Sequence, residues 1–372
     1  MKRKLQTGLL IRRRLQYCLA LLIFCVVLVL SALIFRDKFF AVYTPWSRFV
    51  SGLLGFIVSF APFSLAEFML YILISFALAY LIISVVLAVT RAGERGMYMK
   101  SCLVTLLAIV STGVTVFLLV WGLQYHAPRV ETQLGLELRE HYTQQELIDT
   151  AVWLQGIINE TAPLAQRNAD GVMEVPFKEL AHASARAVEQ LGADHPIFKA
   201  ALVSPAKRIT AYPLMDYTYI AGIYSPFTGE ANVNPNTASA LLPFSMTHEM
   251  AHRLGYAAEQ DANFVAFLAC MASDDPGIRY SGARGVYGYC VRHIESYEML
   301  MTLSNNMTPY YNLDTLQAIE KVAYMDEDVV KITAPISEKT NDTYLKVNGQ
   351  AEGTGSYGRV AELVIAWRLA QG

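Results

Sequence analysis

Hydrophobic and polar positions are distributed unevenly along this chain. Three long apolar runs lie in its first third, at about residues 15–35, 65–88 and 101–123. The first run has 21 residues without a formal charge, and each run is long enough to cross a hydrocarbon core as a helix. A fourth apolar stretch, residues 49–60, is too short to cross alone, and we interpret it as an interfacial segment. The pattern predicts a membrane region, residues 1–123, with three transmembrane helices.

The rest of the chain, residues 124–372, has the mixed pattern of a globular domain. Helical periodicity predicts helices at about residues 144–159 and 176–191. The segment 208–234 is rich in Tyr, Ile and Thr and is interrupted by Pro and Gly, which predicts short strands and turns. From about residue 243 the pattern is mostly helical again. The predicted fold class is therefore α+β, with transmembrane helices followed by a mostly helical domain that has a small sheet.

Charges beside the apolar runs predict the orientation of the domain. Six Lys or Arg residues precede the first run and three lie between the second and third, against three in the first loop. Because positively charged loops stay in the cytoplasm, three crossings place the domain outside it. We expect residues 124–142 to be a linker leaving the membrane, and Trp121 and Tyr125 to form an interfacial belt. The runs carry almost no ionisable residue apart from Glu67, which favours an anchor over a transport path.

Composition and charge exclude several classes of function. The hydrophobic fraction of 54% and the mean hydropathy of +0.32 are high for a soluble protein, and the excess lies in the membrane region. A net charge of −2 without a basic patch predicts no nucleic-acid partner. The five cysteines form an odd set without CxxC spacing, which argues against a disulfide framework and a cysteine zinc site. A Cys270–Cys290 disulfide stays open for an extracytoplasmic domain.

The clearest chemical motif is H-E-x-x-H, at residues 248–252. Its apolar neighbours suit a buried helix. Histidines four residues apart, His248 and His252, lie on one helical face and can direct two ring nitrogens at one Zn²⁺. Glu249 lies beside them, placed to take a proton from a water molecule that the metal activates, without being a ligand. The motif predicts a zinc site with Glu249 as the general base.

A catalytic zinc usually needs a third protein ligand and one open position. Gly255 is expected to end the motif helix, and a second helix is expected to begin near Glu259. Glu259 is the predicted third ligand, and Asp261 is the alternative. Both lie within a few residues of the motif, so proximity in the chain does not separate them.

A second motif, E-x-x-A-N, runs from Glu259 to Asn263. Together with H-E-x-x-H it resembles the glutamate-zincin pattern, in which the third metal ligand opens an E-x-x-A-[DN] helix. The resemblance implies that His248, His252 and Glu259 are the metal ligands. It also implies that the Asn263 side chain supports a ligand histidine.

Further segments are spread over nearly the full length of the chain: Pro62-Phe63-Ser64, residues 225–231, 262–264, 279–282 and 356–358. With the two motifs, they resemble a bacterial family of uncharacterised membrane proteins that have spans ahead of a zincin core. This resemblance implies a zincin-like domain in a bacterial cell membrane and a peptidase activity, but it supplies no substrate.

Other residues are candidates for substrate handling. Zincins commonly hold substrate backbone against an edge strand, and residues 230–234 are the candidate for that strand; an ordinary structural hairpin is the alternative. A donor is also expected to stabilise the oxyanion of the reaction. Tyr280 and His293 are the first choices for that role.

Taken together, these features predict a membrane-anchored zinc metallopeptidase. Its partners are expected to be the lipid bilayer and a substrate that is either a peptide near the outer membrane surface or a cell-wall peptide. The alternative is a non-catalytic zinc-binding membrane sensor or scaffold. Glu249 favours catalysis, because a site that only binds zinc has little need of a general base.

Overall fold

A computed structural model describes residues 2–90, 92–139, 141–347 and 358–371. The N-terminal part consists of four long helices: α1 (Lys2–Ile34), α2 (Arg36–Ser59), α3 (Leu65–Thr90) and α4 (Arg95–Val120). Three segments within them are long and apolar enough to cross a membrane: Gln6–Ile34, Leu65–Thr90 and Arg95–Val120. Their positions match the three apolar runs of the sequence.

All but the last of residues 49–60 belong to a longer helix than the sequence pattern predicts. They overlap the second half of α2, which has 24 residues and packs one face on the C-terminal part of the chain. A Cβ atom at Gly55 would lie only 2.6 Å from the carbonyl oxygen of Gly229, so the backbones approach closely there. The Arg48 Nε donates a hydrogen bond of 2.9 Å to the Leu254 carbonyl. Helix α2 is therefore fixed to the C-terminal part.

The three candidate spans form a small bundle. Side-chain contacts between Arg14 and Thr105 and between Cys25 and Thr115 show that α1 and α4 run parallel. Helix α3 returns in the opposite direction, with the Tyr80 hydroxyl bonded to Thr105 at 3.1 Å. The C-terminal ends of α1 and α4 and the N-terminal end of α3 therefore lie at the same end of the bundle. The C-terminal part of the chain is attached at that end.

The C-terminal part is mostly helical with a small sheet, as the sequence predicts. Its helices are α5 (Val130–Leu134), α6 (Gln144–Thr161), α7 (Phe177–Asp194), α8 (Tyr212–Asp216), α9 (Leu242–Arg253), α10 (Glu259–Met271), α11 (Pro276–Val291), α12 (Tyr297–Asn305), α13 (Pro309–Val322), α14 (Glu327–Val347) and α15 (Gly358–Ala370). Short 3₁₀ helices cover Ala92–Glu94, Gly122–His126, Ala162–Leu164 and Pro196–Phe198. The strands are β1 (Lys207–Arg208), β2 (Gly222–Ser225) and β3 (Glu230–Val233). Ser356 and Tyr357, which belong to the segment 356–358 of the family resemblance, lie outside the described residues.

The sheet has the strand order β1-β3-β2. The central strand β3 pairs in parallel with β1, with Lys207 opposite Asn232, and antiparallel with β2, with Ile223 opposite Asn232. Of the two interpretations of residues 230–234, the edge strand is therefore wrong, because both sides of β3 are already paired, and the alternative is what the structure has, since β2 and β3 form an antiparallel hairpin. The edge beside the H-E-x-x-H helix belongs to β2 instead.

Residues 124–142 also differ from the prediction. The sequence predicts a linker there, but the stretch folds back on the domain. Val130 is fully buried, and its backbone N–H donates to the Asp261 carboxylate at 3.3 Å. Gln124 is buried as well, and its side-chain oxygen accepts a hydrogen bond from Thr44 at 3.1 Å. The chain thus passes from the last candidate span into the core without a free connecting segment.

The main core lies between α6, α7, α9, α10, α11 and α15. Phe264 and Phe267 of α10 are fully buried within it, and burial of one such side chain stabilises the fold by roughly 1.5–3 kcal/mol. Cys270 and Cys290 are buried there as free thiols, so the disulfide that the sequence left open is not formed. Burial raises the pKa of both thiols to about 12.

Candidate metal centre

The orientation of α9 follows from its apolar positions. Met246 and Met250 lie four residues apart and are fully buried in the core. Each residue turns a helix by about 100°, so a residue two places further along lies on the opposite face. His248 and His252 stand two places after the two methionines. Packing of the methionines in the core therefore turns both imidazoles away from it.

A glycine turn brings the next helix back beside the histidines. Gly255 has a φ of +90°, a conformation that side-chain-bearing residues rarely adopt. Its N–H donates to the His252 carbonyl at 2.9 Å, and the Tyr256 N–H donates to the Ala251 carbonyl at 3.1 Å. These are the hydrogen bonds of a glycine C-cap, as the sequence predicts. The reversal places Glu259, the first residue of α10, against α9.

Three side chains converge at this point. The Nε2 of His248 lies 3.3 Å from one carboxylate oxygen of Glu259, and the Nε2 of His252 lies 3.6 Å from the other. The ligand atoms of all three residues fall within 4.8 Å of one another. In a tetrahedral zinc site, ligand atoms that are each about 2.1 Å from the metal are about 3.4 Å from one another. The two histidine–glutamate distances are close to this value, so the three side chains can accommodate an ion of that size.

The far side of each imidazole is also bound. The Nδ1 of His252 lies 2.8 Å from the Tyr256 carbonyl oxygen, which can only accept, so Nδ1 carries the proton. The Nδ1 of His248 lies 3.0 Å from the side-chain oxygen of Asn263. Both contacts turn the Nε2 of the ring toward Glu259, and such outer hydrogen bonds commonly orient metal-binding histidines. The structure thus places Asn263 where the family resemblance implies.

Burial and mutual charge set the protonation of the cluster. Burial opposes ionisation of Glu259, but the hydrogen bond from His248 and the charges of both histidines lower its pKa to about 2. Burial and the neighbouring charge of His248 lower the pKa of His252 to about 4. Burial also disfavours the charged form of His248, yet Glu259 raises its pKa to about 9. Glu259 and His252 are therefore in the states that bind a cation, whereas a cation has to displace a proton from His248.

Glu249 stands beside this cluster without joining it. Its carboxylate packs on Gly222 of β2, where an added Cβ atom would lie 2.5 Å from Oε1. Burial, with the charge of Glu259, raises the pKa of Glu249 to about 8, although the charge of His248 and a hydrogen bond from the Tyr224 backbone act in the opposite direction. A carboxyl group with a pKa near neutrality can accept and return a proton in the physiological range.

Asp261, the alternative third ligand, lies elsewhere. Its carboxylate accepts the hydrogen bond from the Val130 N–H and lies 3.9 Å from the Arg129 guanidinium. Since Asp261 is two residues after Glu259, it projects from the opposite face of α10. The structure therefore brings Glu259, and not Asp261, to the two histidines.

The two candidate oxyanion donors are also placed away from the cluster. The Tyr280 hydroxyl is buried, donates to the Asp314 carboxylate at 2.7 Å and accepts from Arg284 at 3.2 Å. His293 is exposed beyond the end of α11, and its carbonyl accepts from Gln144 at 3.1 Å. Among the hydrogen bonds and ring contacts of the described residues, none joins Tyr280 or His293 to the metal-binding side chains. The tyrosine instead belongs to a buried structural network.

Sequence reasoning missed the role of Trp121. The residue directly follows α4, a position where tryptophan usually marks the membrane interface. Here it is buried, with its ring centroid 5.4 Å from that of Tyr224 and 6.0 Å from that of His252. No local pattern distinguishes such a buried tryptophan from one that faces lipid. The end of a candidate span therefore packs directly on a candidate metal ligand.

Comparisons with known proteins place this site within a family. No curated protein and no solved structure matches the chain. A family model described as "Protein of unknown function (DUF3810)" matches residues 42–365. The matched region begins within α2 and ends within α15. It includes the two histidines, Glu259, and Gly222, which contacts the Glu249 carboxylate. The chain therefore belongs to the DUF3810 family.

Proposed function

We propose that this protein is a membrane-anchored zinc metallopeptidase with a zincin-like site. The observation that carries the proposal is the convergence of His248, His252 and Glu259 at the spacing of a tetrahedral zinc. Zinc, when bound, would polarise the scissile carbonyl and lower the pKa of water to about 7. The chemistry of the donor set supports zinc, because two imidazoles and one carboxylate leave a fourth position open.

The remaining groups have distinct parts in this proposal. Asn263 and the Tyr256 carbonyl orient the two imidazoles. Glu249 takes the proton of the attacking water and returns it to the leaving amine. Gly222, which has no side chain, leaves room for the Glu249 carboxylate. Glu249 is a buried acid that is not a metal ligand, and burying such a group costs stability. A zinc-binding sensor or scaffold would gain nothing from this cost, so the burial favours a catalytic site.

The position of the site supports a substrate near a membrane. Trp121 packs on His252 and directly follows α4, so the site lies next to the end of a candidate span. The proposed substrate is a peptide near the outer membrane surface, with a cell-wall peptide as the second class. The charge pattern favours a bacterial cell membrane protein whose domain lies outside the cytoplasm.

Metal content and hydrolysis of the full chain test this proposal. Zinc is measured by mass spectrometry on protein purified in detergent, and cleavage is followed with casein and a quenched-fluorescence peptide library. We expect wild-type protein and Glu249→Gln to bind one zinc, with hydrolysis lost in Glu249→Gln. His248→Ala and Glu259→Ala are expected to lose most of the metal, whereas the matched control Asp261→Asn keeps it.

Two outcomes would contradict the proposal. Full zinc in Glu259→Ala would remove Glu259 from the ligand set. Stoichiometric zinc in a wild-type protein that cleaves none of the probes, with Glu249→Gln indistinguishable from it in every assay, would favour the sensor or scaffold.

A further inference from the structure

Several large apolar side chains are exposed outside the candidate spans. Leu214 and Tyr219, between β1 and β2, are 71% and 62% exposed. Ile332 and Ile336 of α14 are 63% and 61% exposed. Soluble surfaces rarely keep such residues together without a partner.

The segment that carries Leu214 is attached to the first turn of α3. The Glu67 carboxylate accepts hydrogen bonds from the backbone N–H groups of Thr210 and Ala211, at 2.8 and 2.7 Å. It also accepts from the Thr210 hydroxyl at 2.7 Å. Glu67 is the third residue of a candidate span. Helix α8, which begins at Tyr212, therefore lies level with the end of that span.

The loop before α3 is held at the same level. The Lys207 ammonium donates to the carbonyl oxygens of Val58 and Phe63, at 2.6 and 3.0 Å. Phe60 and Phe63 project from this loop and are exposed. Strand β1 and the loop that carries Phe60 and Phe63 are thus joined where the candidate span Leu65–Thr90 begins.

Helix α14 continues the same surface. The Thr333 hydroxyl donates to the Tyr217 carbonyl at 2.7 Å, and the Ser337 hydroxyl donates to the Thr218 carbonyl at 2.9 Å. Ile332 directly precedes Thr333, and Ile336 directly precedes Ser337. Because the two isoleucines are four residues apart, they form an apolar stripe on an adjoining face of the helix. The residues next to the stripe are thus bonded to Tyr217 and Thr218, which directly precede Tyr219 in the chain.

We infer that Phe60, Phe63, Leu214, Tyr219, Ile332 and Ile336 form a membrane-facing surface that rests in the headgroup layer of the bilayer. The bilayer is the occupant that the contacts favour, because the surface is continuous with the first turn of the span Leu65–Thr90. Aromatic and aliphatic side chains at that depth are stabilised by lipid contact, and an amphipathic helix such as α14 lies in the interface plane. The domain is thus seated on the membrane as well as anchored through it.

Site-specific fluorescence on the full chain in vesicles tests this inference. The protein is reconstituted in phosphatidylcholine–phosphatidylglycerol vesicles after Cys18, Cys25 and Cys102 are replaced by alanine. Leu214→Cys, Tyr219→Cys and Ile336→Cys are each labelled with the fluorophore NBD, and size-exclusion chromatography checks that each variant is folded. The buried Cys270 and Cys290 do not compete for the label.

Matched controls use similarly exposed residues on the 3₁₀ helix Ala162–Leu164 and on α12, which both pack on α6. Leu164→Cys replaces a leucine that is 65% exposed, and Tyr297→Cys replaces a tyrosine that is 75% exposed. We expect the three test labels to show blue-shifted emission and to lose most of it when the vesicles contain headgroup-nitroxide lipid. The two control labels are expected to keep their emission.

Two results would overturn the inference. Test labels that are quenched no more than the controls would show that lipid does not cover the surface. Blue-shifted labels without nitroxide quenching would show that a second copy of the chain covers it instead.

Discussion

The indole Nε1 of Trp121 donates a hydrogen bond of 2.7 Å to the backbone carbonyl of His252. This bond joins the residue after a candidate span to the last turn of the H-E-x-x-H helix. The same indole ring packs edge-on against the His252 ring, with centroids 6.0 Å apart. The position of a candidate metal ligand therefore depends on the membrane region, and the two parts of the chain are linked at the site itself.

The first prediction concerns this link. Trp121→Phe keeps an aromatic ring but removes the indole donor, so the His252 carbonyl loses one hydrogen bond and keeps the one from the Gly255 N–H. A buried hydrogen bond contributes about 0.5–1.5 kcal/mol, which corresponds to a roughly two- to tenfold weaker zinc affinity if the bond orients His252. Chelator competition on the full chain measures the affinity. Trp153→Phe, in α6, is the control and is expected to leave the affinity unchanged; equal affinities in both variants would refute the link.

The second prediction concerns the glycine beside the proposed base. Gly222→Ala places a Cβ atom 2.5 Å from the present position of the Glu249 Oε1, so the carboxylate has to move. We expect zinc to be retained and the hydrolysis rate to fall on the order of a hundredfold, as for other small displacements of catalytic groups. Gly288→Ala, where nothing lies within 4 Å of the added atom, is the matched control. Full activity of Gly222→Ala would mean that Glu249 is not held in place by this contact.

The third prediction concerns the outer partner of His248. Asn263→Ala removes the oxygen that lies 3.0 Å from the His248 Nδ1. Loss of such a partner typically weakens metal binding about 10- to 100-fold. The zinc affinity of Asn263→Ala is compared with that of the control Asn159→Ala. Asn159 forms hydrogen bonds with Asn306 and Thr308, which lie outside the site. Unchanged affinity in Asn263→Ala would argue against its orienting role.

The fourth prediction concerns the buried thiols. Because burial raises the pKa of Cys270 and Cys290 to about 12, the reactive thiolate is scarce at pH 8, on the order of one part in ten thousand. The thiolate fraction rises with pH and dominates only above pH 12. Intact mass spectrometry after iodoacetamide treatment should show neither residue modified in native protein and both modified after denaturation. Rapid native labelling, or a mass that indicates a disulfide, would contradict the buried free thiols.

Local signals in the sequence account for much of the fold and the site. The four-residue spacing of His248 and His252, the glycine turn at Gly255 and the start of α10 at Glu259 are all encoded within a dozen residues. The apolar runs likewise encode the three long helices directly. Helical periodicity and turn residues depend on neighbours in the chain, so these features can be predicted from the sequence alone.

Features that depend on distant contacts did not follow from the sequence. The pairing of Lys207 with Asn232 makes β3 a central strand, and a two-residue strand such as β1 has no recognisable pattern. Tyr280 is held by Asp314, 34 residues away in the chain, so its type and position gave no sign of a structural role. The burial of Trp121 and Val130 likewise results from tertiary packing.

The most direct test of the account is zinc-edge X-ray absorption on the purified full chain. We predict one zinc per chain, bound by two imidazole nitrogens and carboxylate or water oxygen at about 2.0–2.2 Å, without sulfur at about 2.3 Å. Glu259→Ala should lose this spectrum and Asp261→Asn should keep it. A protein that takes up no stoichiometric zinc, or a spectrum with a sulfur shell, would contradict the metal centre on which the proposed function depends.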